Sequence, residues 1–211
     1  MGFDKNMTYG KLQFYSLWIY RLAIMNILWI LFSMLGLLVF GIGPATTAVC
    51  GVIHRWLKHE QIQESTFNHF WHIYKENFVK ANVLWFIFLF VGFALYFDFY
   101  FIFRLDHFLV PVLLGLVGFL SILYVIVLIF SFALLVILKS TIVQTIKYAF
   151  IYGLTSPSLT ISILMSLVII HYISYQFPVV YLFFTVSVAS LLIVVVVIKN
   201  TSKLKMDDSN S

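Results

Sequence analysis

The chain has 211 residues, of which 63% are hydrophobic and 10% charged, with a formal net charge of +5. A soluble domain carries about 25% charged residues, and a water-soluble fold of this length cannot hide so much apolar surface, so part of the solvent is lipid. The basic residues are scattered between apolar runs, which excludes a nucleic-acid-binding role and reads instead as a topology signal at a membrane surface.

Aromatic residues reach 19%, with 23 Phe and 12 Tyr, a richness suited to lipid-facing helices and interfacial belts. A single cysteine, Cys50, excludes an intramolecular disulfide and a multi-cysteine metal site. The first apolar run is too long for a cleavable signal peptide and lacks a small-residue cleavage site, so it is expected to stay as an anchor.

Residues 1–15 read as an N-terminal tail. From Leu22 to Ile53 there are 32 residues without an acidic or basic side chain. One crossing needs about 20 residues and two need about 40, so the run is long for one span and short for two. Gly41-Ile42-Gly43-Pro44 interrupts it. Glycine permits a tight reversal and Pro44 suits the first turn of a new helix. The expected elements are a full helix over 16–40 and a short one over 44–57 that crosses or re-enters. Gly36, Gly51 and the small residues Ala45, Thr46, Thr47 and Ala48 are expected to pack the two as a hairpin.

Glu60 to Asn82 is not a flexible loop. Phe67, Phe70, Trp71, Tyr74 and Phe78 fall on one helical face, opposite His69, His72, Lys75, Glu76 and Lys80 for the most part, and Ser65 or Thr66 can cap the start. An aromatic face against a basic polar one describes a helix lying in the membrane interface, either as a surface anchor or as a dock for a partner protein. Further spans are expected over 83–103, 108–138, 158–175 and 179–198, with a second amphipathic helix over 139–152. All four prolines, Pro44, Pro111, Pro157 and Pro178, fall at proposed helix starts, where proline is tolerated. Residues 199–211 form a C-terminal tail.

The architecture expected is an all-α polytopic transmembrane bundle in a single membrane domain. It has five full spans, a short or re-entrant second helix and two cytoplasmic amphipathic helices. If 44–57 crosses, twelve of the thirteen Lys and Arg share one face and only Arg104 lies opposite. Cytoplasmic loops collect Lys and Arg, so both termini are expected inside the plasma membrane.

No catalytic spacing is present. His59-Glu60 begins like a zincin motif, but Gln63 stands where the second histidine belongs. Gly41-Ile42-Gly43 lacks the preceding strand of a dinucleotide fingerprint. No cofactor and no metal are expected, and the chain reads as a non-enzyme. Asp98 and Arg104, near the outer interface, form a candidate polar site; a carboxylate at membrane depth is costly unless it snorkels or pairs. Asn26, a turn above Arg21, is expected to hydrogen-bond a neighbouring helix. His171, beside Tyr172, needs no role beyond the interface.

The first hundred residues resemble the YesL-like family of small membrane proteins of Gram-positive bacteria. The resemblance rests on Arg21-Leu22, Asn26-Ile27-Leu28-Trp29, Gly36, Gly41, Pro44-Ala45-Thr46 and Arg55-Trp56-Leu57. It continues through Phe67, Phe70-Trp71, Phe78, Ala81-Asn82 and Tyr96-Phe97-Asp98. It implies a setting beside carbohydrate importers of the ATP-binding-cassette type, and supplies no catalytic or ligand residues. The expected function is an accessory or assembly subunit of such an importer, touching lipid and the permease subunits. The alternative is an independent small-solute transporter or channel.

Overall fold

The computed structural model describes the backbone of residues 5–58, 65–105 and 107–209, and the side chains of 15–58, 65–105 and 107–199. Among the described residues seven helices follow in chain order: α1 (Lys5–Leu35), α2 (Ile42–Leu57), α3 (Thr66–Ile102), α4 (Val110–Ile137), α5 (Ile142–Thr155), α6 (Pro157–Gln176) and α7 (Pro178–Ser209). Five of them are long and apolar enough to cross a membrane: α1 from Tyr15, α3, α4, α6 and α7 as far as Lys199. The protein is therefore a multi-pass membrane protein built as a helical bundle. Pro111, Pro157 and Pro178 stand in the first two positions of their helices, and Pro44 is the third residue of α2.

α1 is shorter at its end than the sequence suggests. It stops at Leu35 rather than at position 40, and residues 36–41 form the reversal. The Leu38 N–H donates to the Ser33 carbonyl at 2.8 Å and the Leu37 N–H to the Met34 carbonyl at 2.9 Å. Such paired bonds close a helix on a left-handed residue, normally glycine. Here the left-handed residues are Leu37 (φ 54°) and Leu38 (φ 62°), and among the described residues no glycine has positive φ. The glycines serve close approach instead. A Cβ on Gly36 would strike the Cα of Gly41, and one on Gly41 would strike the Ser33 carbonyl oxygen.

α2 lies at the centre. It packs on α1, α3, α4 and α7, and eleven of its sixteen residues are buried, Gly43 to Ala45 and Thr47 to Ile53 among them. The five long helices bury only 17–39% of their most apolar stretches. Sixteen residues rise about 24 Å, less than the roughly 30 Å apolar core, and a short helix is tolerable where protein rather than lipid surrounds it. Ala45, Ala48 and Thr47 are fully buried. In lipid, helix association depends on van der Waals contact, and small side chains bring backbones together.

The amphipathic segment after residue 65 and the third span are one continuous helix of 37 residues, not two elements. Nothing between Phe78 and Val83 can break a helix: Val79-Lys80-Ala81-Asn82 holds no Gly or Pro. Ser65 caps the start, its Oγ accepting from the Asn68 N–H at 3.3 Å. α3 and α4 then pair through a second core of Ala81, Leu84, Phe88, Phe132 and Leu135, and the Tyr124 hydroxyl donates to the Phe88 carbonyl at 3.0 Å. α5 opens with a capping box of Thr141 and Gln144 and packs on α4.

Candidate functional site

The residues that carried the sequence resemblance converge on the α1–α2 hairpin and its neighbours. The Arg21 guanidinium lies 5.3 Å from the centre of the Trp56 ring and 5.9 Å from that of Trp18. The two indoles meet edge to face at 6.3 Å, so a cation–π stack closes the open end of the hairpin. Trp29 Nε1 donates to Thr46 Oγ1 at 3.0 Å, and that hydroxyl donates to the Ile42 carbonyl at 2.7 Å. Asn26 is buried and reaches α7: its amide donates to the carbonyls of Tyr181 and Leu182 and accepts from the N–H groups of Val186 and Ser187.

The glycines of α2 mark close approach to α3 and α4, and Gly51 faces those two helices and not α1, as the hairpin expectation had it. A Cβ on Gly43 would stand 2.8 Å from the Ala81 carbonyl oxygen, and one on Gly51 2.9 Å from the side chains of Ile73 and Val136. Pro44 and Ala45 are buried, whereas Thr46 is half-buried and bonded to Trp29. Gly41 against Ser33 of α1 and Gly43 against Ala81 of α3 leave no room for a Cβ, so the backbones approach closely at both.

The aromatic face of α3 is divided. Phe32 of α1 inserts among four of its rings, with centroid separations of 5.8 Å to Phe67, 4.9 Å to Phe70, 5.4 Å to Trp71 and 5.1 Å to Tyr74. Phe70 and Tyr74 are buried, and the Tyr74 hydroxyl donates to the Phe32 carbonyl at 3.3 Å. Phe78 is half-buried against the core. Only Phe67, at 52% exposure, and Trp71, at 39%, keep a large free surface. The expectation that all five rings share one free face is therefore corrected: α1 occupies its middle. Sequence reasoning did not single out Phe32, which sits in an apolar run with no periodic contrast to mark its partner.

Asp98 and Arg104 are both exposed. Among the described residues no ion pair joins them; the Arg104 guanidinium instead lies over the Tyr100 ring at 4.2 Å. Asp106, part of the same loop, lies outside the described residues. His171 meets the Tyr181 ring edge to face at 6.3 Å. Among the described residues no cluster of His, Cys, Asp or Glu has the geometry of a metal site.

Residues 22–99 match the family described as "Protein of unknown function, DUF624". The chain is 30% identical over 181 residues to the uncharacterised protein YteU of Bacillus subtilis strain 168, covering 86% of this chain and 81% of YteU. It is 28% identical over 150 residues to the uncharacterised protein YesL of the same organism, covering 71% and 70% of the two chains. A third relative there, the uncharacterised protein YesV, is 28% identical over 158 residues, 75% of this chain and 76% of YesV. No solved structure matches the chain. With a 30% identical relative matched over four-fifths of its length, the chain belongs to the YesL-like family of multi-pass membrane proteins.

Proposed function

We propose that this membrane protein has no chemistry of its own and works by association, as an accessory or assembly subunit of an ATP-binding-cassette carbohydrate importer. The observation that carries the reading is a ridge on α3. Phe86, Phe90, Phe93, Phe97 and Phe101 recur every three or four residues, and all five are exposed. Side chains at that spacing share one side of a helix. The first four line an open apolar groove with Leu89 and Ala94. Each Phe buries more area than a leucine with the same two rotatable bonds, which suits contact with another helix.

Phe67 and Trp71 add a second exposed aromatic pair nearer the start of the same helix. The sugar setting comes from the resemblance to YesL-like proteins, which makes permease subunits the partner of choice. Gentle extraction of the tagged protein from its own membrane should co-purify permease subunits. Replacing Phe90 and Phe97 together by alanine should lower both that recovery and uptake of the sugar. Unchanged uptake of every tested carbohydrate on full deletion would overturn the importer reading. Solute uptake into vesicles holding this protein alone would establish independent transport in its place.

A further inference from the structure

We infer that a basic cavity between α2, α3 and α4 binds a phosphate-bearing anion. The cavity measures about 360 Å³, within the roughly 300–1,000 Å³ typical of small-molecule sites. Arg55 and Lys58 line it from the end of α2, Lys80 and Glu76 from α3, and Lys139 from the residue that follows the α4 C-cap. Four permanent cations thus share one cavity with a single carboxylate. Glu76 lies 3.7 Å from His72, and among the described residues no ion pair reaches Lys58, Lys80 or Lys139.

All four cations are exposed, so solvent screens much of their mutual repulsion, and a bound anion neutralises what remains. The helix dipole accounts for cations at the carboxyl end of α2. It does not account for Lys80, in the body of α3. Nor does it account for the backbone of Lys139, which is left-handed at φ 49°. That position after a helix is normally glycine, since a Cβ there is strained. Lys139 takes the left-handed position after α4 that glycine usually occupies, and its side chain lines the cavity beside Lys80 of α3. A phosphate group relieves the repulsion and offers several acceptor oxygens to lysine and arginine donors.

Beneath the cations the cavity is lined by apolar side chains, Ile73 and Val136. Gly51 lets α2 approach both, since a Cβ there would be 2.9 Å from each. A phosphodiester headgroup meets both halves, cations on the phosphate and apolar atoms under the glycerol. Inorganic phosphate meets the cations alone. The inference does not depend on the importer reading.

The test uses the full-length protein in neutral detergent. Thermal unfolding and binding are measured with inorganic phosphate at constant ionic strength, and separately with short-chain phosphatidylglycerol against short-chain phosphatidylcholine. Stabilisation by phosphatidylglycerol alone assigns the site to a lipid headgroup; stabilisation by inorganic phosphate as well assigns it to soluble phosphates too. Either way, Lys80→Gln and Lys139→Gln should each weaken binding about tenfold, the scale of one charge-assisted contact. Lys139→Gly should do the same while leaving the ligand-free protein at least as stable, because the strain is relieved. Lys147→Gln, on α5 and away from the cavity, should leave binding unchanged. No stabilisation by either probe, or equal loss in the Lys147 variant, would overturn the inference.

Discussion

Asn26 donates its side-chain amide to the carbonyl of Leu182 at 2.6 Å, across 156 positions of chain. The same amide accepts from the N–H groups of Val186 at 3.0 Å and Ser187 at 3.2 Å. In an uninterrupted α-helix the Leu182 carbonyl pairs with the Val186 N–H, so Asn26 offers α7 a partner at both ends of one backbone bond. Side-chain insertion of this kind is a recognised cause of local bending. Asn26→Ala should cost about 1 kcal/mol, since the freed α7 groups can pair with each other. Asn26→Asp should cost more, because a carboxylate accepts from Val186 and Ser187 but cannot donate to Tyr181 or Leu182. Thermal unfolding of the two variants in one detergent gives the order; Ala below Asp would refute the bridge.

The α1–α2 reversal predicts a sharp contrast between glycines. An alanine at Gly36 or Gly41 meets backbone atoms that cannot swing away, and each substitution should destabilise by about 1–3 kcal/mol or more. Gly115 of α4 has nothing within 4 Å of a Cβ, so Gly115→Ala should be neutral or slightly stabilising through helix propensity. Folded yield and melting temperature separate the two classes, and similar behaviour at all three sites would count against the tight turn.

Tyr74 and Trp71 should behave differently although they are neighbours on one face. Tyr74 is buried, packs at a tilt against the Phe32 ring and donates to the Phe32 carbonyl, so Tyr74→Ala should cost about 3 kcal/mol. Trp71 is 39% exposed and should cost clearly less. The pair Phe67→Ala with Trp71→Ala therefore tests docking without removing the buried Phe70–Tyr74 contact with α1. Loss of partner recovery at near-normal stability supports a docking role; equal loss of stability in the Tyr74 and Trp71 variants would contradict the division of the face.

Topology can be read by labelling single cysteines. Cys50 is buried, so its replacement provides a clean background. Membrane-impermeant reagent applied outside should modify a cysteine at position 107 and spare those at 63 and 203, as the distribution of basic residues implies. Strong external labelling at 63 would mean that α2 does not return the chain to the starting side.

Read alone, the sequence determined that the protein lives in lipid, where the apolar spans fall and where α3, α4, α6 and α7 begin, because those properties are local. Hydropathy over about 20 residues, prolines at Pro111, Pro157 and Pro178, and the Ser65 cap act through nearest neighbours along the chain. Tertiary structure decided which faces meet. In a chain with 63% hydrophobic residues, lipid-facing and protein-facing sides have the same polarity, so periodicity cannot tell them apart. Phe32 therefore claimed the middle of the aromatic face, Asn26 found α7, and the glycines of the first turn answered to contact between backbones while Leu37 and Leu38 took the left-handed turn. The same holds for Lys58, Lys80 and Lys139, which in the sequence mark a membrane face and in the fold line one cavity, because only packing brings the ends of α2 and α4 beside the body of α3.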